Sequence, residues 1–130
     1  HQGIGAGLVG ELPEPVNVTQ FLSSLKDLMK CGAVKHTNLC HENVSRVALM
    51  GGSGIFGLPA AKASGAQVYI TSDVKYHEFF DAEEDIILVD IGHYESEQYT
   101  IDLISDFLMK KFTNFAIRLT TVNTNPINYL

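Results

Sequence analysis

Apolar and polar positions along this chain change rhythm three times, and each change marks an element. From Phe21 to Met29 the apolar residues Phe21, Leu22, Leu25, Leu28 and Met29 recur every three or four positions. That spacing is the stripe of an amphipathic helix, with Asn17 placed to cap it, Gln20 placed for a capping box and Gly32 to end it. Ala33 to Thr37 and Arg46 to Met50 read as strands. The connection Asn38 to Ser45 is too short for a parallel crossover, so the two are expected to pair as a hairpin.

Beyond Met50 the chain alternates between strand-like and helix-like stretches: a glycine loop, a helix to Ser64, a strand near Val68 to Thr71, a short helix, a strand Ile86 to Asp90, then a long helix. This is the order of parallel βα units. In the long helix Ile101, Ile104, Leu108 and Phe112 form the apolar stripe and Leu103 and Phe107 widen it, while Asp102, Asp106 and Lys110 fall on other faces. Phe115 to Val122 alternates Phe115, Ile117 and Leu119 against Ala116, Arg118 and Thr120, as a half-buried strand does. The fold class expected is α/β: a mixed, largely parallel sheet with helices on its faces. Residues 1–16, rich in glycine and ending in Pro13 and Pro15, read as a lead or linker from something longer. Residues 17–122 form the α/β domain. Residues 123–130 form a tail whose Ile127, Tyr129 and Leu130 ask for a packing partner in the core or in another chain.

Composition narrows the function classes. A length of 130 residues with 45% hydrophobic content, including seven Phe and five Tyr, suits one domain with a full core. No apolar run approaches the roughly 18–20 residues of a membrane span, and no basic region with an apolar signal segment opens the chain. The net charge of -6 opposes a nucleic-acid partner, because phosphate binding rests on clustered Lys and Arg. Cys31 and Cys40 make neither a CxxC motif nor a disulfide framework, so reduced thiols and a cytoplasmic location are expected. Cys31, His36, Cys40 and His41 are zinc-type ligands, but they sit at a helix end, in a strand and in a polar turn, and need not converge.

The chemistry concentrates at three strand exits, which in open α/β sheets all face the ligand side. After the strand ending at Asp90, His93 and Glu97 stand four residues apart, so an imidazole and a carboxylate share one face of a helical turn. Such a pair suits zinc, manganese, iron or cobalt, but a catalytic zinc usually has three protein ligands, so Asp73, His77 or residues of a longer chain would complete the set. Glu97 could also simply favour the positive end of the helix dipole. Asp73 and His77 repeat the spacing after Thr71. They are candidates for moving protons, with the plainer alternative that Asp73 caps a short helix and His77 hydrogen-bonds on its flank. At the first exit Gly52, Ser53 and Gly54 let the backbone approach a ligand, and free amides there could hold an anion. The spacing matches neither a phosphate loop nor a dinucleotide fingerprint, and a tight turn explains the glycines equally well.

Three runs together resemble the NIF-three-like family, whose members are often labelled GTP cyclohydrolase one type two homologues. They are Val47-Ala48-Leu49-Met50-Gly51-Gly52-Ser53-Gly54, Tyr69 to His77, and Asp90-Ile91-Gly92-His93-Tyr94-Glu95-Ser96-Glu97. The lead Gly5 to Pro13 and the tail Asn123-Thr124-Asn125-Pro126 add to the likeness, which is to the C-terminal portion of that family. Ser72 stands where many members have glycine. The resemblance implies that this chain is one half of a larger NIF-three-like fold, and that His93 and Glu97 are C-terminal ligands of a centre of two divalent metal ions, with Asp73 and His77 lining its cleft. It further implies that a histidine pair and an aspartate come from an N-terminal half, that the substrate is a small molecule such as a nucleotide, and that the protein forms a ring-shaped homo-oligomer. A hydrolase-like activity is then expected of the whole, and little of the isolated portion; a noncatalytic metal- or nucleotide-binding module for regulation or protein interaction is the alternative.

Overall fold

The computed structural model describes residues 5–130, so the first four residues of the glycine-rich lead lie outside the description. Five strands form one mixed sheet in the order β1-β3-β4-β5-β2, with β1 Leu8–Asn17, β2 Lys35–His36, β3 Asn43–Ser53, β4 Val68–Ser72 and β5 Ile87–Asp90. The three middle strands run parallel, and antiparallel strands close both edges. The fold is therefore the expected mixed, largely parallel α/β arrangement.

Side chains of a strand alternate between faces, and here both faces are apolar. Val68 and Ile70 of β4 join Val47, Ile87, Val89 and Ile91 under Val18 and Leu22 of helix α1, Val18–Leu28. Tyr69 and Leu88 point the other way, joining Ala48, Leu58, Ala61 and Ala82 beneath helix α2, Leu58–Ala63, and the 3-10 helix Tyr76–Ala82. Every residue of β4 and β5 is buried. At the start of α1 the Asn17 side chain accepts from the backbone N–H groups of Thr19 and Gln20, as its capping position requires.

Four expectations of local structure differ from what forms. The hairpin between Ala33–Thr37 and Arg46–Met50 does not exist: β2 pairs antiparallel with β5 at the far edge, with β4 and β5 between it and β3. An ion pair holds it there, Lys35 Nζ lying 2.6 Å from Asp90 Oδ2. From Leu8 onward the lead is not a linker but an edge strand on β3, its register shifting between Glu11 and Val16 where Pro13 and Pro15 remove two donors. The long helix is broken into α3, His93–Glu97, and α4, Thr100–Lys111. At the break, Gln98 donates to Met29 O and Tyr99 to Leu28 O, tying the chain to the end of α1. Residues 115–122 form no strand and join neither edge of the sheet.

The tail returns to the body through Tyr129, whose ring lies where a side chain at Gly32 would have to go and whose hydroxyl donates to Glu95 Oε1 over 3.3 Å. Leu103 and Phe107 of α4, and Phe115 and Val122 in the segment after it, are more than 60% exposed. No helix among the described residues is long and apolar enough to cross a membrane.

The two thiols are set apart by this packing. Cys31 is buried, and burial first and the Glu95 charge second push its thiol above the ordinary value, against Lys26. Cys40 is exposed, its thiol raised chiefly by partial desolvation. At neutral pH a thiol reagent is expected to modify Cys40 alone, with Cys31 reacting only on unfolding; mass spectrometry showing both modified in the native protein would contradict the packing of α1 against the sheet.

Candidate metal centre

All three strand exits open at one end of the sheet, and the last of them carries the pair. Gly92, at φ +91, makes the turn from β5 into α3, placing His93 and Glu97 on adjacent turns. His93 Nε2 lies 3.4 Å from Glu97 Oε2. Two donors on one tetrahedral ion with bonds of roughly 2.0–2.2 Å stand about 3.4 Å apart, so the gap between them fits an ion.

The opposite ring nitrogen is occupied. His93 Nδ1 lies 2.6 Å from Asp73 Oδ2, and since a carboxylate only accepts, Nδ1 carries the proton. That leaves Nε2, facing Glu97, as the nitrogen a metal would take once the ring is neutral. The hydrogen bond to Asp73 raises the pKa of the ring above the ordinary histidine value; desolvation, the next largest effect, opposes it, and the charges of Asp73 and Glu97 add to the rise.

Asp73 therefore sits behind the ring rather than beside the prospective ion. Asp73 and Glu97 flank opposite edges of one imidazole, and among the described residues no three His, Cys, Asp or Glu side chains converge as a complete metal site would need. The chemistry of the donor set fits a divalent ion, and it fits as half a coordination sphere. Asp73 does not cap a helix: its φ is +58, and the 3-10 helix that follows is capped by Lys75. His77, at the start of that helix, lies edge-on to Tyr76 with ring centroids 6.0 Å apart, and no hydrogen bond or ion pair joins it to Asp73, His93 or Glu97.

The glycine loop forms a wall rather than an anion cradle. Gly52 N–H donates to Ser96 Oγ at 2.9 Å and Gly54 N–H to Thr71 Oγ1 at 3.0 Å, so two of the amides a phosphate would use are already engaged. Ser53 stays in the sheet, paired in register with Ser72. Gly52 is at φ +66, and a Cβ there would stand 2.6 Å from Glu97 Oε1, so the missing side chain is what admits the carboxylate. Ser96 passes its own proton to His93 O, locking loop and helix together.

Sequence reasoning missed Asp90, Ser96 and Thr71 as organisers of the site. Asp90 alone gave a signal: it is a charge closing a fully apolar strand. The other zinc-type ligands stay apart, His36 Nδ1 bonding to Thr37 O and His41 Nε2 to Asp85 O.

Comparison with known proteins agrees with the fold. Residues 1–126 match the family Duf34/NIF3 (NGG1p interacting factor 3). A Staphylococcus aureus protein named GTP cyclohydrolase 1 type 2 homolog is 30% identical over 131 residues, covering 97% of this chain and 36% of that protein. The crystal structure of Staphylococcus aureus protein SA1388 superposes with a TM-score of 0.87 at 29% identity, over 95% of this chain and 42% of that one. A Bacillus cereus protein related to NIF3 gives 0.80 at 28% identity, over 97% of this chain and 36% of its own. The chain thus spans about a third of the length of the curated relatives it matches.

Proposed function

The chain belongs to the Duf34/NIF3 family, and from that premise we propose that it supplies one wall of a divalent-metal centre in a hydrolase-like protein, with His93 Nε2 and Glu97 as ligands. The observation carrying this reading is the 3.4 Å pair on α3 backed by Asp73 on the far ring nitrogen. Carboxylate behind imidazole is how metal-bound histidines are commonly oriented. When bound, a divalent ion supplies Lewis-acid polarisation of a substrate and lowers the pKa of a water.

The residues of this chain do the rest. Asp73 fixes the tautomer and the angle of the ring. Gly52 admits the Glu97 carboxylate, and Ser96 ties the loop to the helix that bears both ligands. His77 is the remaining candidate for moving a proton, on the neighbouring strand exit. The further ligands, a second ion and the substrate, a small molecule such as a nucleotide, belong in this proposal to the longer protein, whose relatives are nearly three times the length of this chain. Its homo-oligomer would bury the apolar face of α4 and the tail. No guanine-reading motif is present, so the GTP label stays with the relatives' names.

A second reading has an observation in its favour. The Asp73 carboxylate is engaged on the His93 ring rather than free to move a proton, as suits a module that holds a metal without catalysis. The full-length, metal-loaded protein assayed on a panel of nucleotides separates the two. Hydrolysis that disappears in His93→Ala supports the enzyme; bound metal with no turnover of any of them overturns it in favour of the binding module.

A further inference from the structure

We propose that Asp90 is a positioning residue for the His93 site, the one carboxylate that sets both loops carrying the imidazole and its backing acid. This rests on reading His93 and Glu97 as metal ligands.

Asp90 closes β5 and is 2% exposed. Its Oδ1 accepts the Gly92 N–H at 2.9 Å, and its Oδ2 accepts the Val74 N–H at 3.1 Å while pairing with Lys35 Nζ at 2.6 Å. The two amides are the neighbours of the two residues that matter: Val74 follows Asp73, and Gly92 precedes His93. Both junctions are left-handed, φ +58 at Asp73 and +91 at Gly92. A non-glycine residue in that region is strained and persists only where the surroundings over-determine it. Asp90 is the group that does so here. By gripping one amide on each loop it fixes the separation of the Asp73 carboxylate and the His93 ring, which meet at 2.6 Å although 20 residues apart.

The role needs a carboxylate. Asparagine of equal size offers one acceptor oxygen for two amides and turns an N–H₂ group toward either another N–H or the Lys35 ammonium. One loop is then released, and Asp73 no longer holds Nδ1.

The test is nitrogen NMR of the His93 ring in the metal-free chain, with a zinc titration beside it. In the native chain, at alkaline pH where the ring is neutral, the proton is expected on Nδ1. In Asp90→Asn, with cooperative unfolding retained, the ring is expected to average between tautomers and zinc affinity to fall by about 10–100-fold, as for loss of a partner behind a ligand. A folded Asp90→Asn chain with an unchanged ring spectrum overturns the proposal. If that variant does not fold, hydrogen exchange of the native chain decides: Val74 and Gly92 amides as protected as those of β5 support it, and exchange at open-loop rates overturns it. Unchanged zinc binding in His93→Ala would remove the metal reading while the ring spectrum still decides the role of Asp90.

Discussion

Replacing His93 with alanine is expected to weaken zinc binding by more than about 100-fold, beyond what loss of a backing partner alone gives, while leaving the fold intact. The side chain is about half exposed, and its contacts are the exposed ends of Asp73 and Glu97. Surface changes of that kind alter stability by within roughly 0.5 kcal/mol. The native chain itself should bind zinc weakly, since it offers two donors where three or four hold an ion firmly. Glu97→Gln keeps the shape but removes the charge, so a smaller loss is expected. Calorimetric titration of the three proteins beside urea unfolding reads both effects. Equal zinc affinity in native chain and His93→Ala would remove the imidazole from the site.

Gly92→Ala is expected to carry the largest loss of stability among changes near the site, about 2–5 kcal/mol. A left-handed residue with a side chain costs roughly 1–2 kcal/mol, and overpacking adds about 1–3. Here the added Cβ would collide with Glu95 Oε2, a carboxylate oxygen buried without a hydrogen-bond partner among the described residues and with little room to withdraw. Glu95 also receives the Tyr129 hydroxyl, so the tail should loosen with it. Urea denaturation gives the magnitude, and near-native stability would show that the turn into α3 can take another shape. Gly52→Ala is the milder comparison, because its neighbour Glu97 Oε1 is half exposed and can move.

The parallel centre of the fold was legible because its signals are local. Buried apolar runs at Val68 and Ile87, each followed by polar turn chemistry, specify strands whatever surrounds them. Edges were not legible, because they are decided by distant partners. β2 has two residues and no preference of its own; what places it is Lys35 reaching Asp90 and Thr37 accepting from Leu88 N–H, contacts that span 51 residues or more. The prolines of β1 argue against a strand until it is known to lie at an edge. The alternation of residues 115–122 is a strand pattern that pairs with no strand among the described residues, and Phe115 stays exposed.

At the site, spacing alone brought His93 and Glu97 together, because i and i+4 on one helix is a local rule. Placing Asp73 required knowing that β4 and β5 are neighbours, with Thr71 beside Asp90. The shared spacing of Asp73 with His77 pointed to a second pair, yet Asp73 turns left-handed and gives its carboxylate to the other exit.

The most direct measurement of the central claim is an anomalous-scattering map from zinc-soaked crystals of this chain. A peak roughly 2.0–2.2 Å from both His93 Nε2 and the Glu97 carboxylate, with Asp73 still on Nδ1, is the predicted result. Zinc held elsewhere with these two side chains unengaged, or a Glu97 carboxylate turned away from the ring, would contradict it.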